Sequence, residues 1–148
     1  MVVKTYSGNV QKYNILIGVL LCAFLTSFLF LIMPLGFVFP ADIYLIVGCG
    51  IGLYITIKNR KESQSHIETG IVVGFVGSVL SLFLIGFFEW IVYYIPAYGL
   101  DFILLLQLIL ILFAYYGMFY IPVGILLGYL FGRYYRKKEN VGKKSPQF

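Results

Sequence analysis

Charged residues are scarce in this sequence. They make up 11% of its 148 residues, whereas about a quarter of the residues in a soluble domain are charged. Hydrophobic residues make up 61%, and the mean hydropathy is +0.94. A water-soluble fold of this length could not bury so much apolar surface. The composition therefore excludes a soluble globular protein and predicts an integral membrane protein with a single domain over residues 1–148.

Chemically reactive side chains are also few. The sequence has one histidine and two cysteines, and no Ser/His/Asp, Cys/His or paired-carboxylate arrangement supports hydrolysis or group transfer. Cys22 and Cys49 fall inside hydrophobic runs, where a disulfide between them is geometrically conceivable but no metal-site spacing is present. His66 falls in a polar segment and is interpreted as an ordinary solvated side chain. The sequence thus predicts no enzyme, no cofactor and no metal site.

Four hydrophobic stretches predict four transmembrane α-helices, over about 14–39, 41–57, 70–95 and 102–132. The first stretch is too long for the hydrophobic region of a signal peptide. The last would measure about 45 Å if straight, against a hydrocarbon core of about 30 Å. It must therefore tilt, protrude or break, and Gly117 and Pro122 are the predicted break points of this long, kinked helix.

The positively charged residues all fall on one side of the four-span arrangement. Lys and Arg occur before the first stretch, after the second, and in a basic C-terminal tail over 133–148. The other two connections carry only Asp42 and Asp101. The positive-inside rule therefore predicts two hairpins in the cell membrane with cytoplasmic N- and C-termini. A five-span alternative, which divides the last stretch at residues 115–117, would place the basic tail outside, whereas a re-entrant half-helix agrees with the charges.

The net charge of +5 raises the question of a nucleic-acid partner. The basic residues lie at the ends of hydrophobic stretches, and not on a folded face with interleaved recognition groups. Anionic headgroups of the lipid bilayer are therefore the predicted partners, and nucleic acid is not. Tyr134 and Tyr135 are expected at the inner face of the membrane, where aromatic side chains concentrate.

Small residues recur every four positions in the last two stretches. They are Gly70, Gly74 and Ser78 in the third, and Gly124, Gly128 and Gly132 in the fourth. Residues at this spacing share one helix face, so each set forms a shallow ridge that lets another backbone approach closely. The two ridges predict helix contacts in the cytoplasmic half of the bundle, either within one chain or with a second copy or another membrane subunit.

Polar side chains rarely interrupt the hydrophobic stretches. Glu89 is the one acid inside a stretch and is a candidate coupling residue, although its place beside Trp90 near the outer end also fits an interfacial role. Gln107 is expected to form a hydrogen bond with a neighbouring helix. The remaining hydroxyl groups are expected to bond to carbonyl groups of their own helices. These belong to Thr26, Ser27, Ser78 and Ser81.

Together these features predict a small multi-pass membrane protein without catalytic chemistry, which serves as a scaffold or accessory subunit of a membrane complex. The alternative is a small oligomeric transporter or channel in which Glu89 couples or gates transport. A pore of the holin type with a basic tail is a third hypothesis.

Overall fold

The computed structural model describes residues 3–32, 42–59 and 65–142, and the regular structure of these ranges is entirely helical. The α-helices are α1 (Val3–Ile32), α2 (Asp42–Lys58), α3 (His66–Glu89), α4 (Ile95–Tyr98), α5 (Phe102–Tyr115) and α6 (Gly117–Gly142). A π-helical turn, Trp90–Tyr94, joins α3 to α4 without a break, so one helical rod runs over His66–Tyr98. The all-helical prediction is confirmed for these residues.

Two helices are long and apolar enough to cross a membrane, Tyr13–Ile32 within α1 and the rod His66–Tyr98. The pair α5 and α6 is a third candidate only if the two helices count as one span. Their axes differ by 61° at the break between them. α2 is apolar but has only 17 residues, or about 25 Å of helix. The structure therefore contains two to three candidate membrane-spanning helices, which suggest a membrane protein.

The ends of two helices differ from the hydropathy boundaries. α3 begins at His66, before the predicted start at residue 70, because the Ser65 hydroxyl caps it and accepts a hydrogen bond from the Glu68 N–H at 3.4 Å. α6 continues to Gly142, so the segment predicted as a tail from Arg133 begins as helix. Hydropathy marks where a helix leaves apolar surroundings, whereas caps and backbone hydrogen bonds decide where it ends. Residues 33–39 of the first predicted stretch lie outside the described residues.

The last predicted stretch is divided at Tyr116, directly before Gly117. The Tyr116 N–H still donates to the Leu112 carbonyl oxygen at 2.8 Å, and α6 starts at the next residue. Pro122, the other predicted break point, lies inside α6, which continues through it. The proline ring conflicts with the carbonyl group of Met118. Met118 lies in the first turn of α6, directly after the bend. The clash therefore falls at the start of this helix and not in its middle.

α1, α2, α3 and α6 pack together, and their shared core holds the largest buried side chains. α1 contacts both α2 and α3, while α3 contacts α6 and α2 contacts α6. The buried hydrophobic residues in this core include Val19, Cys22, Leu45, Cys49, Leu53, Val73, Leu82 and Tyr120. The helices are thus held by one continuous apolar interior.

α5 is less enclosed than the other long helices. Its Ile109 and Leu112 side chains lie against Gly86 of α3, and the rings of Phe83 and Phe113 meet edge to face at 5.1 Å. Its remaining apolar side chains are mostly exposed, including Phe102, Ile103, Leu106, Leu110 and Tyr115. An apolar helix face of this kind is stable in lipid, where no water solvates it.

Candidate functional site

The two ridges of small residues lie against each other, between α3 and α6. The facing pairs are Gly70 with Gly128, Gly74 with Gly124, and His66 with Gly132. A Cβ atom added to Gly124 would lie 2.5 Å from the Gly74 carbonyl oxygen and 2.7 Å from the Ser78 hydroxyl oxygen. Such close backbones gain van der Waals contact that bulkier residues would prevent. Because each ridge is covered by the other within one chain, neither is a free surface for another subunit.

A second close contact joins α1 to α2 around the two cysteines. Cys22 and Cys49 are fully buried, their Cα atoms are 4.3 Å apart, and they form a disulfide. A Cβ atom added to Gly52 would lie 3.1 Å from the Cys22 backbone nitrogen. Gly77 of α3 covers the pair, since its added Cβ would lie 2.7 Å from the Cys22 Sγ. The sequence signal for this contact is the spacing of Gly48 and Gly52, which lie four residues apart on one face of α2.

The buried hydroxyl groups follow the prediction, with one exception. Ser27, Ser78 and Ser81 each donate to the carbonyl oxygen four residues earlier, at 2.7–2.8 Å. The prediction is wrong for Thr26, whose Oγ1 is buried and has no hydrogen-bond partner among the described residues. Its hydroxyl group faces Gly48 of α2 across the helix contact. Close packing of the two backbones has thus taken precedence over a hydrogen bond.

Glu89 is the last residue of α3 and stands directly before the π-helical turn. π-Helical turns are rare and occur often at functional sites. The Glu89 side chain is half-buried. The next residue, Trp90, is buried, and its Nε1–H donates to the Asp101 carbonyl oxygen at 2.9 Å. Glu89 therefore precedes, by one residue, the side chain that ties the π-helical turn to the start of α5.

Asp101 fixes the beginning of α5. Its Oδ1 accepts hydrogen bonds from the N–H groups of Ile103 at 2.8 Å and Leu104 at 3.4 Å, as an N-cap residue does. The ring of Phe102 lies 5.5 Å from the Trp90 ring. The sequence did carry this signal, because an aspartate directly before a long apolar run is typical of a helix N-cap.

Gln107 lies on the exposed side of α5. The described contacts of α5 with α3 are made by other residues, Ile109, Leu112 and Phe113. The expected hydrogen bond from Gln107 to a neighbouring helix is therefore not made within the described part of the chain. The physical reason is its place on the helix, because at about 100° per residue Gln107 falls on the face of α5 opposite Ile109 and Leu112, which contact α3.

His66 is not the solvated loop residue expected from the sequence. It is the first residue of α3, and its Nε2 lies 3.1 Å from the Glu139 Oε2 of α6. The two side chains are 12% and 31% exposed, respectively. The pair forms because α6 runs on as a helix beyond the apolar stretch and brings Glu139 beside the start of α3.

An apolar cavity lies on the surface of α6 beside α2, at the end of the bundle where Lys58 and the basic residues of α6 are placed. A cavity of about 310 Å³ is lined by Leu130, Phe131, Tyr134 and Tyr135. The Tyr54 ring of α2 lies 6.5 Å from the Tyr135 ring, and the Lys58 Nζ lies 5.6 Å from the centre of the Tyr54 ring. We refer to these six residues as the α2–α6 groove.

Known proteins offer no template for these features. No family model, curated protein or solved structure matches this chain. Within residues 3–32, 42–59 and 65–142, no group of three or more His, Cys, Asp or Glu side chains is placed to hold a metal ion. A functional hypothesis for the chain must therefore rest on its own residues and contacts.

Proposed function

We propose that this chain is a multi-pass protein of the cell membrane that acts as a scaffold or accessory subunit of a membrane complex. In this proposal α1, α2, the rod from α3 to α4, and the bent α5–α6 pair make four crossings, with both termini in the cytoplasm. The Asn14 Nδ2 donates to the Asn59 carbonyl oxygen at 3.0 Å, and Gly132 lies against His66. These contacts support an arrangement in which the basic ends of the helices share one side of the membrane.

The observation that carries the subunit proposal is the exposed amide of Gln107 on the apolar face of α5. In hydrocarbon an amide without a hydrogen-bond partner is costly, and Asn and Gln side chains join transmembrane helices by bonding across them. The described part of the chain provides no such partner. A helix of another subunit, or of a second copy, would supply the missing donor and acceptor and cover the exposed face of α5.

Mild detergent extraction from the native membrane tests this proposal. The affinity-tagged chain should co-purify with a partner at a fixed ratio, and Gln107→Leu should weaken that association by about fivefold, since one interhelical hydrogen bond in a membrane contributes about 1 kcal/mol. Gln107→Asn retains the amide group and is the matched control. A wild-type particle that is strictly monomeric and free of partners would contradict the proposal.

A second candidate function is favoured by the position of Glu89. A half-buried carboxyl group at the start of a π-helical turn suits a coupling or gating group in a small oligomeric transporter or channel. Proteoliposomes loaded with a pH-sensitive dye provide the test. Glu89→Gln should reduce proton flux strongly if Glu89 couples transport, whereas equal flux in the two proteins removes this candidate.

A further inference from the structure

The α2–α6 groove combines an apolar cavity with positive charge at its edge. The cavity walls are the side chains of Leu130 and Phe131 and, one helical turn further, those of Tyr134 and Tyr135. Leu130 and Tyr134 are largely exposed, so the cavity opens toward the surroundings of the bundle. Apolar walls followed by tyrosines match the passage from acyl chains to headgroups in one leaflet. The cavity therefore fits a lipid chain better than a soluble ligand.

Two lysines stand at the headgroup end of this groove. Lys58 lies over the Tyr54 ring on α2. On α6, Lys138 is exposed and follows Tyr134 by four positions and Tyr135 by three, so it lies on the same helix face one turn further along. Glu139 is paired with His66 at the start of α3. The edge of the groove is thus positively charged, which complements a phosphate group.

Two other basic residues described in α6 point elsewhere, whereas Lys137 follows Tyr134 by three positions and lies toward the open side of the cavity. At about 100° per residue, Arg133 and Arg136 fall on the face of α6 opposite Phe131 and Lys138. Both are exposed. Lys58 and Lys138 therefore form a pair that adjoins the cavity, whereas Arg133 and Arg136 form a pair at similar depth that does not. If net charge alone attracted anionic lipids, the two pairs would contribute equally to binding. If the cavity and its lysines form a binding site, the pair beside the cavity would contribute more.

We propose that the α2–α6 groove binds one anionic phospholipid of the leaflet on its side of the membrane. An acyl chain lies against Leu130 and Phe131, and the headgroup phosphate is held by Lys58 and Lys138. Zwitterionic lipids have the same chains and a phosphate, but their own cationic group competes with the two lysines. The site therefore selects anionic headgroups, and it does so independently of the subunit role proposed for Gln107.

Electron spin resonance of labelled lipids tests the proposal on the full chain in lipid nanodiscs. The discs consist of phosphatidylcholine with a small fraction of spin-labelled phosphatidylglycerol or spin-labelled phosphatidylcholine. The wild-type chain should immobilise more labelled phosphatidylglycerol than labelled phosphatidylcholine. The double substitution Lys58→Gln with Lys138→Gln should lower this preference by about fivefold or more, since each basic residue near the surface contributes about 1 kcal/mol.

The double substitution Arg133→Gln with Arg136→Gln removes the same charge from the opposite face of α6 and should leave the preference nearly unchanged. Leu130→Trp fills the cavity while retaining every charge, and should also lower the preference. Size-exclusion profiles like the wild type are expected for all variants because every substituted residue is exposed. An equal loss in both double variants, an unchanged preference in Leu130→Trp, or no preference in the wild type would each overturn the proposal.

Discussion

At the scale of single residues, the hydroxyl group of Thr26 stands out because it is fully buried without a hydrogen-bond partner among the described residues. Thr56 is nearly as buried, but its Oγ1 donates to the Gly52 carbonyl oxygen at 2.8 Å and lies 3.5 Å from that of Asn14. A buried polar group without a partner costs about 1–3 kcal/mol. The two threonines therefore form a matched pair, one with its hydrogen bond and one without.

Thr26→Val should raise the stability of the protein by about 1 kcal/mol, since it replaces an unpaired hydroxyl group with a methyl group of similar size. Thr56→Val, the control, should lower stability by about 1 kcal/mol because it removes a hydrogen bond. Thermal unfolding in detergent, followed by the loss of the monodisperse size-exclusion peak, measures both. A Thr26→Val protein as unstable as Thr56→Val would show that the Thr26 hydroxyl group has a partner after all.

At the scale of helices, the tightest contact is that between α3 and α6. A Cβ atom added to Gly74 would overlap the backbone carbonyl group of Gly124. A backbone group in the middle of a helix cannot rotate away as a side chain would, so the two helices must separate. Gly50 of α2 offers the contrast, because its added Cβ would meet only Phe131 Cζ, at 3.9 Å.

Gly74→Ala should therefore destabilise the bundle by about 1–3 kcal/mol, the usual cost of overpacking. Gly50→Ala makes the same chemical change where the added Cβ atom gains only an ordinary van der Waals contact. It should be neutral or stabilising by up to about 1 kcal/mol, because alanine favours the helix over glycine. Thermal unfolding in the same detergent compares the two. Equal effects of the substitutions would mean that α3 and α6 do not meet at these glycines.

The sequence predicted the features that depend on composition and spacing over many residues. Long apolar stretches gave helices, and the interval of four placed Gly70 and Gly74 on one face. It could not predict features that depend on a single tertiary neighbour. Hydropathy does not tell which face of α5 meets α3, and the face that does so leaves Gln107 exposed. Likewise, the sequence does not show that the Tyr135 ring of α6 meets the Tyr54 ring of α2 beside the cavity.

Some local features are encoded in short-range patterns of the sequence and not in its hydropathy. Ser65 and Glu68 have the spacing of a capping box, which would have started α3 at His66. Asp101 directly precedes the apolar run of α5, which it caps. Both signals are short-range hydrogen-bond patterns, and a hydropathy window averages over them.

At the scale of the whole molecule, the two ends of the bundle differ in charge. Lys58 of α2 and Arg136 of α6 lie near the end where Asn14 bonds to Asn59. The opposite end carries the turn between α4 and α5, where Leu100 is 74% exposed and no lysine or arginine is present over 90–105. In the topology that we propose, the first end lies in the cytoplasm and the second outside, as the positive-inside rule predicts.

A cysteine at position 100 should therefore react with a membrane-impermeant maleimide on intact cells, whereas one at position 136 should react only after permeabilisation. The substitutions are Leu100→Cys and Arg136→Cys. The wild-type chain is the control, because its only two cysteines, Cys22 and Cys49, are buried and joined to each other. Labelling of Arg136→Cys from outside intact cells would rule out the proposed topology, since α6 would then end on the same side as Leu100. The outcome also tests whether α5 is re-entrant. If α5 were re-entrant and α6 did not cross the membrane fully, positions 100 and 136 would lie on the same side of the membrane.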